Sequence, residues 1–136
     1  GKGGFYMKYA RYGLTGIVAF AFLSMVNINA KALGKFTIET NSVWKSDLSS
    51  TASVEVKSGA NKYSGVNWTY SNKSSHKMIF RICNSSNGKS FGSGTLKYKS
   101  QDTFKTSIPE GTKTYIQARR ENIIDPVTTV KGTWLP

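Results

Sequence analysis

One cysteine and one histidine in 136 residues close off much chemistry at once. Cys83 has no partner for an internal disulfide, so stability has to come from packing. His76 alone cannot build a multi-histidine metal site, and no Gly-x-Ser-x-Gly or comparable setting marks any serine as a nucleophile. The two lie seven positions apart on one expected strand, which sends them to opposite faces and makes a thiol–imidazole pair a poor geometry. Acids are scarce as well. Glu39, Asp47, Glu55, Asp102, Glu110, Glu121 and Asp125 are seven against 19 Lys and Arg, scattered with no calcium-loop spacing and no support for a carboxylate pair. Gly88-Lys89-Ser90 ends like a phosphate-binding loop, but Cys83 stands where that loop needs its first glycine, which excludes nucleotide. The reading is of a protein that is not an enzyme, with no catalytic residue, metal site or cofactor.

Long apolar runs are missing too, with one exception. Leu14 to Val26 is an uncharged, largely apolar run of 13 residues, preceded by Lys8 and Arg11 and followed by Ala30-Lys31-Ala32, small residues at the two positions a signal peptidase reads. Residues 7–32 are therefore expected to be a secretory signal peptide. The run is well short of the roughly 20 residues that span a bilayer; a retained membrane anchor is the alternative. Residues 1–6 fit no part of such a peptide: Lys2-Gly3-Gly4 is what a purine-rich ribosome-binding sequence would spell in frame, and Met7 reads as the initiator. An expression scar is the alternative for them. This hints at a bacterial source, as does the preference for Lys over Arg. Processing after Ala32 by signal peptidase, following the general secretion machinery, leaves a single domain over 33–136 with 15 basic and 7 acidic residues, a net charge of +8. Such a balance draws a secreted protein to anionic polymers such as teichoic acids, acidic head groups or nucleic acid; a solvated basic surface with no specific partner is the plainer reading. Cys83 is too far from the signal peptide to be a lipoprotein's lipidated cysteine, and Trp134-Leu135-Pro136 shows no wall-anchoring tail, so free release or non-covalent attachment is expected.

No stretch of 33–136 sustains helical spacing, whereas short alternating runs recur between clusters of Ser, Asn, Gly and Lys. Strands are expected over Lys35–Thr40, Ala52–Lys57 (Ala52, Val54 and Val56 on one face, Ser53, Glu55 and Lys57 on the other), Val66–Tyr70 (Val66, Trp68 and Tyr70 together), Lys77–Asn84, Thr95–Lys99 and Thr103–Ile108. A Ser-rich connection carrying Trp44 runs from Ser42 to Ser50, and Asn84 to Gly94 reads as a long polar loop. Lys77–Asn84 is the strongest strand, apolar at Met78, Phe80 and Ile82 and largely apolar at Ile79 and Cys83 around Arg81, so it should be central and covered on both sides. Lys113–Arg120 and Val127–Trp134, separated by Glu121 to Pro126, read as a hairpin. Seven to eight short strands argue for one all-β, antiparallel β-sandwich, Ig-like or jelly-roll-like, with a small closed barrel as the alternative.

Aromatic and basic residues interleave at Lys62 and Tyr63, at Trp68, Tyr70 and Lys73, and at Lys97, Tyr98 and Lys99, a pattern that could hold sugars or single-stranded nucleic acid on a platform. The simpler account fills the core with Trp68, Phe80, Tyr98, Tyr115 and Trp134. Asn67-Trp68-Thr69, Asn72-Lys73-Ser74 and Asn84-Ser85-Ser86 match the glycosylation acceptor pattern, which counts only in a eukaryotic source. In a bacterium they are turn-formers.

The order of a signal peptide, Phe36-Thr37-Ile38, Phe80-Arg81-Ile82 ending in Asn84, Gly111-Thr112-Lys113 and Val130-Lys131-Gly132-Thr133-Trp134 resembles a family of small exported proteins of bacilli and related Gram-positive bacteria whose function is unknown. That resemblance implies no activity and no catalytic residues. Gly65-Val66, Tyr70-Ser71-Asn72, His76 and Asn84 through Gly88 fall in an order similar to a run in the lactococcin-type bacteriocins, which implies an exported cationic β-sandwich with antimicrobial action. The expected function is a secreted, cationic binder at the bacterial cell surface, its partners anionic wall polymers or the membrane surface; a bacteriocin-like antimicrobial protein is the alternative.

Overall fold

Alternation of apolar and polar side chains dominates the chain after residue 33, and strands follow from it. The structure, a computed structural model, describes residues 33–47, 54–73 and 75–136. Residues 1–6, the expected signal peptide over 7–32, and Ala52 and Ser53 of the second expected strand lie outside the described residues. In chain order the strands are β1 (Gly34–Thr40), β2 (Lys45–Ser46), β3 (Glu55–Val56), β4 (Tyr63–Ser71), β5 (Met78–Asn84), β6 (Ser90–Leu96), β7 (Gln101–Lys105), β8 (Lys113–Arg120) and β9 (Thr128–Leu135). Among the described residues there is no helix.

Two antiparallel sheets face each other. One has four strands in the order β1-β9-β4-β7; the other runs β2-β8-β5-β6, with β3 also paired to β8. β2 meets Ala118 and Gln117 while β3 meets Thr114 and Lys113, so the two short segments form one interrupted edge along β8. Counted that way the domain has eight strands in jelly-roll order. First pairs with last, second with seventh, third with sixth and fourth with fifth, as a long hairpin rolled into two sheets would give. Between these eight strands the chain changes sheet at six of seven connections.

The core lies between the sheets. Phe36, Ile38, Val66, Trp68, Val130 and Trp134 come from the four-stranded sheet, and Met78, Phe80, Ile82, Leu96, Ile116 and Ala118 from the other. Phe80 sits at its centre, 5.4 Å from the Phe36 ring and 5.9 Å from that of Trp68. β5 is central, between β8 and β6, as its two apolar faces require. Its outer face is covered in part: Cys83 is buried, Ile79 and Arg81 half-buried.

Several sequence expectations are corrected. Lys113–Arg120 and Val127–Trp134 are not a hairpin: β8 and β9 lie in different sheets, because the connection over 121–127 crosses the sandwich. Val54 and Val56 are exposed and Lys57 is buried, the reverse of the expected facing, since only two residues there pair with β8 before the chain turns inward. Tyr70 leaves the face of Val66 and Trp68, because a register shift between Trp68 and Tyr70 turns it outward opposite Lys131. The expected loop from Asn84 to Gly94 is a tight turn followed by β6, and the strand expected over Thr95–Lys99 ends at Leu96. Gly92 and Gly94 are there for close approach: a β-carbon would meet the Lys105 carbonyl at the first and the Phe104 ring at the second, where β7 passes. The strand expected over Thr103–Ile108 is shifted to Gln101–Lys105, and the Ser-rich connection holds the edge strand β2.

Candidate functional site

Because Met78, Phe80 and Ile82 point into the core, Ile79, Arg81 and Cys83 point out, and on β8 the same alternation turns Tyr115, Gln117 and Arg119 outward. Register aligns them. Ser46, Gln117, Arg81 and Ser93 form one row across β2, β8, β5 and β6, and Ile79 pairs with Arg119 in the next. Trp44, just before β2, completes the patch: its ring lies 4.3 Å from the Arg81 guanidinium carbon and 5.1 Å from that of Arg119. Two cations on one indole are attracted by its π-face, which offsets part of their mutual repulsion. Arg81 is held in plane by Gln117, whose Oε1 accepts from Nε at 2.9 Å and from Nη2 at 2.7 Å, while Gln117 Nε2 donates to Ser46 Oγ at 3.1 Å. No aspartate or glutamate occurs within β5, β6 or β8. Glu55 lies in β3 and Asp47 follows β2 at the edge of the same sheet, so the face is aromatic and cationic at Trp44, Arg81 and Arg119.

Cys83 belongs to this face, its thiol 3.6 Å from Gln117 Oε1. Burial pushes the thiol up, with Arg81 and Tyr115 pulling the other way, so at neutral pH it stays protonated. Burial, then the neighbouring Cys83, raises Tyr115. Both act as neutral groups that pack beside the guanidinium. His76 is elsewhere, 3.3 Å from Asp125 in the connections that follow β4 and β8.

The residues singled out by aromatic–basic interleaving divide three ways. Trp68 is 1% exposed and is core; its Nε1 donates to the Tyr70 carbonyl at 2.8 Å, so it offers no platform. Lys62 precedes β4 and Tyr63 opens it at one end of the sandwich. Tyr70, Lys73, Lys97, Tyr98 and Lys99 gather at the other, seven residues on, a separation of roughly 20 Å at a strand's rise. There Tyr98 packs edge-on to Trp68 at 5.9 Å, the Lys99 ammonium stands 5.2 Å from the Tyr98 ring, and Lys131 stands 5.1 Å from that of Tyr70. Sequence reasoning missed Trp44, Gln117 and Arg119. The available signal was that β5 and β8 place Arg, Gln, Tyr and Cys at their outward positions, where a plain solvated face carries Lys, Ser and Thr.

A cleft of about 530 Å³ lined by Asn84, Ser85, Ser86, Gly111, Thr112 and Lys113 opens at the Lys62 end. It offers hydroxyls and amides with a single charged side chain. Compared with protein-family models, with curated proteins and with solved structures, the chain matches none.

Proposed function

We propose that this protein is an exported, non-enzymatic binding module for anionic polymers of the bacterial cell envelope, and that the outer face of the five-stranded sheet is its binding face. The observation that carries the reading is the pair Arg81 and Arg119 seated on Trp44 within strands that contain no acid. Guanidinium groups make charge-assisted, planar hydrogen bonds to phosphate and carboxylate, and an indole beside them adds a surface for sugar rings. The signal-peptide-like stretch over 7–32 and the basic excess support an extracellular, anionic partner.

The test is binding of a purified anionic wall polymer by Arg81→Gln/Arg119→Gln beside wild type, at low salt and at ~0.15 M, where the Debye length is roughly 8 Å. The double variant should bind at least about tenfold more weakly, and the wild-type affinity should fall with salt. Equal binding by variant and wild type would sink the assignment.

A further inference from the structure

Ile123 and Ile124, adjacent in the connection between β8 and β9, are 77% and 89% exposed, and Val127 in the same connection is 45% exposed. Large apolar side chains left this far out in a small domain call for an occupant. They are not loose. Asp125 N donates to the Asn122 carbonyl at 3.0 Å and Asp125 Oδ1 pairs with His76 Nδ1 at 3.3 Å. Asn122 N donates to Asp125 Oδ2, and Arg120 Nη1 donates to the Asp125 carbonyl. These polar groups are turned back into the fold, and the two isoleucines are held outward at the tip.

Around this tip stand the other connections of the same end. Arg120 N donates to the Asn41 carbonyl at 2.9 Å, which brings in the turn bearing Val43, itself 59% exposed. His76 brings in the connection with the exposed Lys73 and Lys77, and the Ser100 carbonyl, accepting from Trp68 N at 3.0 Å, fixes the connection with the exposed Lys97 and Lys99. Against these four lysines the same connections hold two acids, Glu121 and the His76-bound Asp125. An apolar tip with a surround of lysines is complementary to one surface in particular, an anionic bilayer, whose head groups take the ammonium groups while the isoleucines reach the acyl boundary.

We propose that this end of the sandwich docks on anionic phospholipid membrane, with Ile123 and Ile124 inserting. The site shares no residue with the Trp44–Arg81–Arg119 face and does not depend on polymer binding there. The experiment is co-sedimentation of purified protein with vesicles of phosphatidylglycerol and phosphatidylcholine, and with phosphatidylcholine alone. Ile123→Ser/Ile124→Ser, Lys73→Gln/Lys77→Gln/Lys97→Gln/Lys99→Gln and Arg81→Gln/Arg119→Gln are run beside wild type, and a melting curve checks each fold. Expected are binding to anionic vesicles alone, a loss of at least about tenfold in the isoleucine variant, a similar loss in the lysine variant, and retained binding in the arginine variant. Absence of binding by wild type overturns the proposal, as does binding unchanged by the isoleucine substitutions. Conversion of a dimer to a monomer by those substitutions, with vesicle binding intact, overturns it in favour of a contact between two copies of the chain.

Discussion

At the end of the sandwich that carries residues 57–62 and 106–112, Lys57 is 1% exposed and its ammonium donates to the carbonyls of Pro136 at 3.1 Å and Tyr63 at 3.3 Å; at the opposite end, Ile123 and Ile124 stand in solvent and four lysines point outward. The first end is closed over Lys57, with the cleft lined by Ser85, Ser86 and Thr112 opening beside it. Ile108 and Leu135 are buried there, Thr106 exchanges a 2.7 Å hydrogen bond with Ser64, and Pro109-Glu110-Gly111 turns the chain, with Thr112 N donating to the Pro109 carbonyl. The second end pairs its polar groups with one another and leaves its apolar ones out. Both ends expose lysine, Lys62 at the first and Lys73, Lys77, Lys97 and Lys99 at the second; the first end also takes one inside, as Lys57. A lysine taken inside satisfies stray carbonyls and stabilises the fold, whereas one turned out keeps its ammonium in water.

Reversing charge should separate the ends most sharply. Lys57→Glu puts an acceptor against the Tyr63 and Pro136 carbonyls in a buried site and should cost about 3–5 kcal/mol, the range for an uncompensated buried charge. Lys97→Glu, exposed at the end that carries Ile123 and Ile124, should stay within about 0.5 kcal/mol. Urea denaturation of both variants measures the difference, and comparable stabilities would mean that Lys57 is not structural.

Two indoles offer a smaller contrast. Trp68 is hydrogen-bonded to the Tyr70 carbonyl, whereas Trp134, equally buried and paired with Gly34 near the closed end, has an Nε1 that finds no hydrogen-bond partner among the described residues. Replacement by Phe removes similar volume from each. Trp68→Phe also strands a carbonyl, while Trp134→Phe removes an unsatisfied donor, so the first should be the more destabilising by about 1–2 kcal/mol. Equal losses would show that the Trp134 N–H has a partner in the folded protein.

The architecture was legible where one face alternates cleanly. Phe36 and Ile38, Val66 and Trp68, and Met78, Phe80 and Ile82 all point to the core, as period-two spacing dictates, and together they define an antiparallel sandwich. What stayed hidden depends on contacts between strands distant in sequence. Gly92 and Gly94 look like loop residues until β7 lies against them. The strands β8 and β9 look like a hairpin because nothing local reveals that their connection changes sheet. Of the eight residues in the aromatic–basic pattern, five, Tyr70, Lys73 and Lys97–Lys99, lie at one end of the molecule, while Lys62 and Tyr63 lie at the other and Trp68 is core. Of the Trp44–Arg81–Arg119 cluster only the Arg, Gln, Tyr and Cys at outward positions of β5 and β8 could be read, since the cluster itself forms only when register sets β2, β8 and β5 side by side.

The subtlest difference between the closed end and the sheet face is a pH dependence of opposite sign. Burial lowers the Lys57 ammonium from its ordinary 10.5, so between its folded value and 10.5 the unfolded chain holds more protons than the folded one, and stability rises with pH through that window. Burial raises the Cys83 thiol from 9.0 and Tyr115 from 10.0, so above 9.0 the unfolded chain loses protons that the folded one keeps, and stability falls as pH rises. The wild-type profile in alkaline solution is the sum of these opposed contributions. Lys57→Met removes the rising part and should steepen the decline above pH 9, whereas Cys83→Ala removes part of the decline and should flatten it. Urea midpoints measured between about pH 7.5 and 10.5 separate the two. If Lys57→Met left the profile unchanged, the ammonium would have to be hydrated in the folded protein, and the closed end would be no more closed than its counterpart.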